Sequence, residues 1–259
     1  MRRLLAAVPL GLVGVLAVEG YLAATAEYLP VPDYVVEATV GSGGGSPVER
    51  VELVVLGDST VAGIGSPSAE DSLAVLVADR VAAQAGRAVH VIGYGVSGAL
   101  TEDVRTDQLP KLVDGSVDVL LIVIGSNDAT HVTPPWAMAS HTRELLLAAR
   151  DAVGPDSAVV LGGIPQFTTV PALGQPLRWA VGRYAGLLRE RQRSVAADLG
   201  VPFVDIAALA SPRFVGVPDA MSSDGFHPAP TGYGFWADAL APAVAGAIAA
   251  EGQPPSASR

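Results

Sequence analysis

The stretch Val51–Thr60, VELVVLGDST, limits what this chain can fold into more than any other. Val51, Leu53, Val54, Val55 and Leu56 make a nearly unbroken apolar, β-branched run, the pattern of a strand covered on both faces. Strands of that kind belong to parallel sheets with helices packed above and below. Gly57 lets the chain turn sharply, and Asp58-Ser59-Thr60 stands where it leaves the strand. A serine there is held by a rigid element and faces the open end of a sheet, where a nucleophile is useful. Asp and Ser are also ordinary turn and capping residues, so this triplet decides nothing without answering segments downstream.

Those segments follow a strand–helix alternation. Asp71-Ser72 can cap a helix to about Ala85, which Gly86 ends. Ala88–Ile92 reads as a second strand, and Thr101–Asp103 starts a helix limited by Pro110. Val117–Ile124 is a third strand, wholly apolar after Asp118 and therefore central. A helix from about Trp136 to Val153 leads to a fourth strand at Ala158–Leu161. A long helix, Leu177–Leu199, is closed by Gly200 and leads to a fifth strand at Val201–Ile206. A last helix covers about Thr231 to Ala250. Five strands separated by helices predict an α/β fold of three layers, with a five-stranded parallel sheet in the flavodoxin-like order 2-1-3-4-5. Ligands of such sheets bind outside the carboxyl ends of the strands, where the strand order reverses.

The flanks read differently. Residues 1–26 form a signal peptide or membrane anchor: Arg2-Arg3 precede an apolar run from Leu4 to Val18, fifteen residues long. That is short of the ~20 a comfortable transmembrane helix needs. Ala24-Thr25-Ala26 offers a small-x-small cleavage site, whereas Tyr21 and Tyr28 would suit a retained anchor at an interface. Export, with or without anchoring, is the expectation, and a buried helix of a soluble protein is the remaining alternative. Residues 27–50, with Pro30, Pro32, Pro47 and GSGGGS, read as a flexible linker. The folded domain is then 51–250, followed by a disordered tail at 251–259.

Four loops carry the chemistry. Strand one ends at Ser59, strand two at Gly93–Gly98, and strand three at Gly125-Ser126-Asn127-Asp128. With strands 2, 1 and 3 adjacent, these loops converge on one crevice. Asp224-Gly225-Phe226-His227-Pro228 precedes the final helix and places a carboxylate and an imidazole on one tight turn. Asp224 can there fix the tautomer of His227, leaving Nε2 as a base toward Ser59.

In these blocks the sequence resembles the SGNH hydrolases, or GDSL-type esterases and lipases, over about residues 51 to 250. Gly57-Asp58-Ser59 matches the nucleophile block, Gly95 the glycine block, Gly125–Asp128 the GxND block, and Asp224–Pro228 the DxxH block. The resemblance implies Ser59 as nucleophile, His227 as general base and acid, and Asp224 as its orienter. It further implies an oxyanion hole of the Ser59 and Gly95 N–H groups and the Asn127 amide. Two positions depart from the family pattern: Gly93 stands where Asn is frequent, and Thr60 where leucine is usual.

The implied activity is hydrolysis of carboxylic esters of short-to-medium acyl chains or lipids through an acyl-serine, without cofactor or metal. An O-acetylesterase acting on glycans is the alternative. The loop Gly93–Gly98 also fits GxGxxG, which would make the chain an NAD-binding oxidoreductase, but strand three ends in Ile122-Val123-Ile124 with no ribose-binding acid. No GxSxG occurs, which disfavours the α/β-hydrolase form of serine chemistry. His90, His131 and His141 lack metal-ligand spacing, while Trp136, Phe167, Phe214 and Phe226 are candidates for an acyl pocket. The net charge of -10 argues against a nucleic-acid-binding surface, and a small-molecule or lipid ester is the expected partner. The absence of cysteine excludes a thiol nucleophile.

Overall fold

The computed structural model describes residues 14–23, 25–41, 50–112 and 117–251. A six-stranded sheet lies between two helical layers. Its elements, in chain order, are β1 (Glu37–Val40), β2 (Val51–Gly57), α1 (Leu73–Ala85), β3 (Val89–Gly95), β4 (Val119–Val123), α2 (Ser126–Thr130), α3 (Pro135–Val153), β5 (Ala158–Gly162), α4 (Leu177–Leu199), β6 (Phe203–Val204), α5 (Ile206–Leu209) and α6 (Pro230–Glu251). The sheet order is β1-β3-β2-β4-β5-β6. Its last five strands are parallel and reproduce the expected 2-1-3-4-5 order, with β1 added antiparallel on β3.

Alternate residues of each central strand feed opposite core layers, as a doubly covered strand requires. Leu53, Val55, Val119 and Leu121 meet α1 and α6, whereas Val54, Leu56, Leu120 and Ile122 meet α3 and α4. Most of these side chains are wholly buried, each worth roughly 1.5–3 kcal/mol relative to exposure. The register levels the carboxyl ends: Gly57 sits beside Gly95 on one side and Val123 on the other, and Val123 beside Gly162. The loops that leave those ends therefore start from one edge of the sheet.

Three expectations need correction. The presumed linker 27–50 is structured where it is described. Glu37–Val40 pairs with β3, Val36 is buried in the core, and Tyr34 Oη donates to the Gly63 carbonyl at 3.1 Å. The strand is half-exposed at a sheet edge, so it needs no long apolar run, and His90 ties it on through Glu37 while also meeting Glu52. The GSGGGS repeat at 41–46 lies mainly outside the described residues, as do 1–13 and 252–259. The helix expected from Thr101 is instead one α-turn, Thr101–Asp103, a π-turn, Val104–Gln108, and a 3₁₀ turn, Leu109–Lys111. The fifth parallel strand shrinks to Phe203–Val204 because Asp205 caps α5, accepting from the Ala208 N–H at 3.1 Å. At the N-terminus residues 14–23 are helical, and no described helix is long and apolar enough to cross a membrane.

Candidate active site

Ser59 lies two residues past the end of β2, in a turn tied by bonds from the Val61 and Ala62 N–H groups to the Asp58 carbonyl. The turn is pinned from beneath, since Ile64 N–H donates to the Ser59 carbonyl and the buried Tyr233 hydroxyl of α6 donates to the Ile64 carbonyl at 2.5 Å. Asp58 is buried, and burial pushes its carboxyl up despite bonds from the Thr60 amide and hydroxyl at 3.0 and 2.8 Å. The Thr60 hydroxyl thus serves a buried acceptor, a bond that a leucine at this position would not make.

Asp224 and His227 share the tight turn before α6. His227 Nδ1 lies 2.7 Å from Asp224 Oδ2, and Nε2 lies 3.0 Å from Ser59 Oγ. Both Ser59 and His227 are buried, at 7% and 5% exposure, so these bonds compete little with water. Asp224 Oδ1 also accepts from Ser222 Oγ and from the Phe226 and His227 amides, while Oδ2 accepts from the Leu29 amide at 3.2 Å. Burial opposes its charge, but the bonds from the His227 ring and from these amides outweigh burial. They hold the carboxyl well below the usual carboxylate range. Asp224 therefore stays ionised and acceptor-only, and the network assigns the ring proton to Nδ1. His227 Nε2 is then a lone pair facing a hydroxyl, the arrangement that can draw a proton from Ser59.

The other expected residues reach the same place. Gly95 ends β3 beside Gly57, and a Cβ on it would sit 1.9 Å from the Ala62 amide nitrogen. The serine turn packs directly on that glycine, a closeness that no other residue permits. Asn127 lies in the first turn of α2, and its Nδ2 donates to the Ala99 carbonyl at 2.9 Å. That bond occupies one of two amide hydrogens and leaves the second available. Among the described residues the Ser59 N–H has no acceptor. Asp128, next along, is buried and accepts from the Thr101 amide and hydroxyl, a structural tie between two of the loops.

Two buried glutamines hold the strand ends and were not singled out from the sequence. Gln108 Oε1 accepts from the Gly57 amide at 3.0 Å and its Nε2 donates to the Gly57 carbonyl at 2.8 Å. Gln192 of α4 does the same across two loops, bonding the Ile124 carbonyl and the Ile164 amide. Each stands in an otherwise apolar buried stripe, Val104–Gln108–Leu109 and Leu188–Gln192–Val195, and a lone amide there is the signal that could have found them. Replacing Gln108 by methionine keeps the volume and takes the side-chain acceptor from the Gly57 amide, while the Gly57 carbonyl keeps the Val96 N–H at 3.1 Å. The expected loss is about 1–3 kcal/mol in all, to be read as a lower melting temperature with a parallel fall in kcat; an unchanged melt would show that the clamp contributes nothing.

Two cavities meet at Ser59, Asn127, Phe226 and His227. The wider, about 530 Å³, is walled mainly by Tyr28, Leu29, Leu173, Leu177, Val181 and Phe226. The narrower, about 50 Å³, lies among Phe167, Phe214, Met221 and Trp236. Of the aromatic candidates, Trp136 lines neither and is 77% exposed. The dinucleotide alternative fails on geometry, because Gly93 and Gly95 are residues of β3 and not of a loop opening a helix. Among the described residues, no three His, Asp or Glu side chains converge as a metal site would need.

The model of the GDSL-like lipase/acylhydrolase family matches residues 55–235, from the end of β2 into α6. The chain belongs to that family. A GDSL-like esterase of Mycobacterium tuberculosis is 34% identical over 210 residues, 76% of this chain and 65% of that protein, so the match leaves about a third of the relative uncovered. The family fold is also seen in the lipase/acylhydrolase from Enterococcus faecalis, with a TM-score of 0.58, 23% identity, and coverage of 76% of this chain and 96% of that one. A single-substitution variant of Axe2, an acetyl xylan esterase from Geobacillus stearothermophilus, has a TM-score of 0.58 at 20% identity, covering 79% and 96%. At these identities the two structures speak for the fold alone. Within this GDSL-family domain the departure at Gly93 has a local cause: a Cβ there would lie 2.8 Å from Val36 Cγ1, and the Gly93 amide donates to the Val36 carbonyl. The segment before β1 fills the space that a larger side chain would take.

Proposed function

We propose that this protein is a serine ester hydrolase that works through an acyl-enzyme. The observation that carries the reading is the continuous bonded line from Asp224 through His227 to Ser59, opening on the apolar cavity of about 530 Å³. That volume lies within the range of roughly 300–1,000 Å³ usual for small-molecule sites. Ser59 Oγ attacks the ester carbonyl while His227 Nε2 takes its proton. The oxygen of the tetrahedral intermediate gains negative charge opposite the Ser59 and Gly95 N–H groups and the free hydrogen of the Asn127 amide. His227 returns the proton to the departing alcohol, and water, activated by the same nitrogen, then cleaves the acyl-serine. Asp224, held ionised, stabilises the imidazolium formed in each half. No step calls for a cofactor.

The esterase, lipase/acylhydrolase and acetyl xylan esterase names of the similar proteins support an ester substrate. The apolar walls of the wider cavity favour an acyl chain of short-to-medium length, and the run Leu4–Val18 behind Arg2-Arg3 supports a place at the cell envelope. A second reading, deacetylation of a glycan, is favoured by the narrow cavity, which admits only a very small acyl group. The p-nitrophenyl ester series from acetate to palmitate separates the two: kcat/KM should peak beyond acetate for the first and at acetate, falling sharply thereafter, for the second. Failure to hydrolyse any member would count against both.

A further inference from the structure

The wider cavity is not closed by the family domain alone. Gly20, Ala23, Tyr28 and Leu29 stand on its wall, all of them before the first strand and outside the matched residues 55–235. Four attachments hold this stretch over the site. The Glu19 carboxylate accepts from the amide of Leu177, the first residue of α4 and itself a cavity residue, at 2.7 Å. An anion at a helix N-terminus is also favoured by the helix dipole. Tyr28 Oη donates to the Ala23 carbonyl at 2.7 Å, and its ring lies 4.9 Å from that of Phe226 and edge-on to that of His227 at 6.1 Å. The Leu29 amide then donates to Asp224 Oδ2, the oxygen that also meets the His227 ring. Ala23 packs into the cluster formed by Phe167, Leu173 and Leu188.

We propose that residues 14–29 belong to the working enzyme as the chain-length-determining wall of its acyl site, and are not a leader that leaves with cleavage after Ala26. The inference rests on the ester-hydrolase reading above and adds to it which part of the chain selects the substrate. Placed across the cavity from Leu173, Leu177 and Val181, the segment gives the acyl chain apolar contact on its second side. It also ties the wall, through one backbone bond, to the Asp224 carboxylate that orients His227. Gly20 is the place to test this, because it lines the cavity and an added Cβ meets nothing within 4 Å. A side chain there enters open space, and leucine or tryptophan in place of glycine favours the helix.

In the full-length chain, Gly20→Trp should lower the ratio of kcat/KM for p-nitrophenyl octanoate to that for the acetate by about tenfold or more, in the range that methylene-sized pocket changes produce. Gly20→Leu should lower it by less. Gly14→Trp, on the same helix, likewise meets nothing at its Cβ among the described residues and lies off the cavity wall, and should leave the ratio alone. Rates are normalised to the Ser59 titrated by a fluorophosphonate, so loss of folded protein does not mimic the effect. If wild-type Ser59 takes no label and no ester turns over, the ester-hydrolase reading itself fails. If labelling and turnover are normal but both Gly20 variants keep the ratio within about threefold, the wall proposal alone is overturned. Labelled protein from the source cells should still carry residues 14–29 by mass spectrometry, and active protein beginning at Glu27 would equally overturn it.

Discussion

Ser59→Ala is expected to lower kcat by a factor on the order of 10⁴–10⁶ and to abolish labelling by a fluorophosphonate, while the protein still melts close to wild type. The size of the loss follows from what Ser59 does in the proposed reaction. Its Oγ is the atom that forms the covalent bond, and His227 Nε2, 3.0 Å away, has no other hydroxyl partner among the described residues. Removing it leaves only substrate binding and the oxyanion donors, which retain a residual acceleration over water. Stability should change little, because among the described residues the side chain makes one hydrogen bond, to His227, and the turn is held by backbone bonds and Tyr233. His227→Ala should fall to a similar level, and the double variant scarcely further, since the two groups act as one unit. Turnover by Ser59→Ala within about a hundredfold of wild type, or a label on another serine, would remove Ser59 from the mechanism. Protonation of Asp224 is not expected to set the acid limit of the wild type. Its carboxyl is held below the ordinary range, so the folded state keeps that charge, and the stability it brings, until the pH has dropped below the unfolded value of about 3.9.

The parts of this molecule legible in its sequence are those where one residue type answers one physical demand. VELVVLG and VDVLLIVI announce doubly covered strands because nothing else buries that much β-branched surface at that length. Their neighbouring positions in the sheet bring the serine turn, the Gly95 strand end and the Asn127 turn together without any further information. The short spacing from Asp224 to His227 is local enough to predict their bond. What escaped reading is long-range or averaged away. Glu37–Val40 is a strand because β3 offers it a free edge, and its half-exposed pattern is hidden among prolines and glycines. The same demand for space at Val36 makes residue 93 glycine, which from the sequence was only a departure from the frequent Asn. Gln108 sits on a π-turn, where helical spacing is broken, so the lone amide in its apolar stripe could mark the residue but not its partner Gly57. The contact of the Leu29 amide with Asp224 joins positions almost two hundred residues apart and carries no side-chain signature at all.

Asn127 gives the second large effect, and it separates catalysis from architecture. Its amide has two hydrogens; one holds the Ala99 carbonyl, and the other is proposed to meet the oxyanion. A donor aimed at charge that develops only in the transition state lowers the barrier without tightening ground-state binding. Asn127→Ala should therefore reduce kcat by about 10²–10³-fold with KM little changed. Loss of the bond to Ala99 should also cost stability, on the order of 1 kcal/mol, because the carbonyl then lacks its protein donor. Asn127→Asp tests the electrostatics at nearly constant shape. A carboxylate would face both the Ala99 carbonyl and the developing negative oxygen, so its kcat should be at least as low as that of the alanine variant. Adding the proton back should relieve part of this, and kcat of Asn127→Asp relative to wild type should rise as the pH is lowered toward the carboxyl range. An architectural role predicts the reverse pattern: both variants would melt markedly lower, yet their kcat per titrated Ser59 would stay near wild type. Melting temperature and active-site-normalised kcat, measured on the same preparations, decide between the two. Near-normal kcat in Asn127→Ala would leave the Ser59 and Gly95 amides as the whole oxyanion hole.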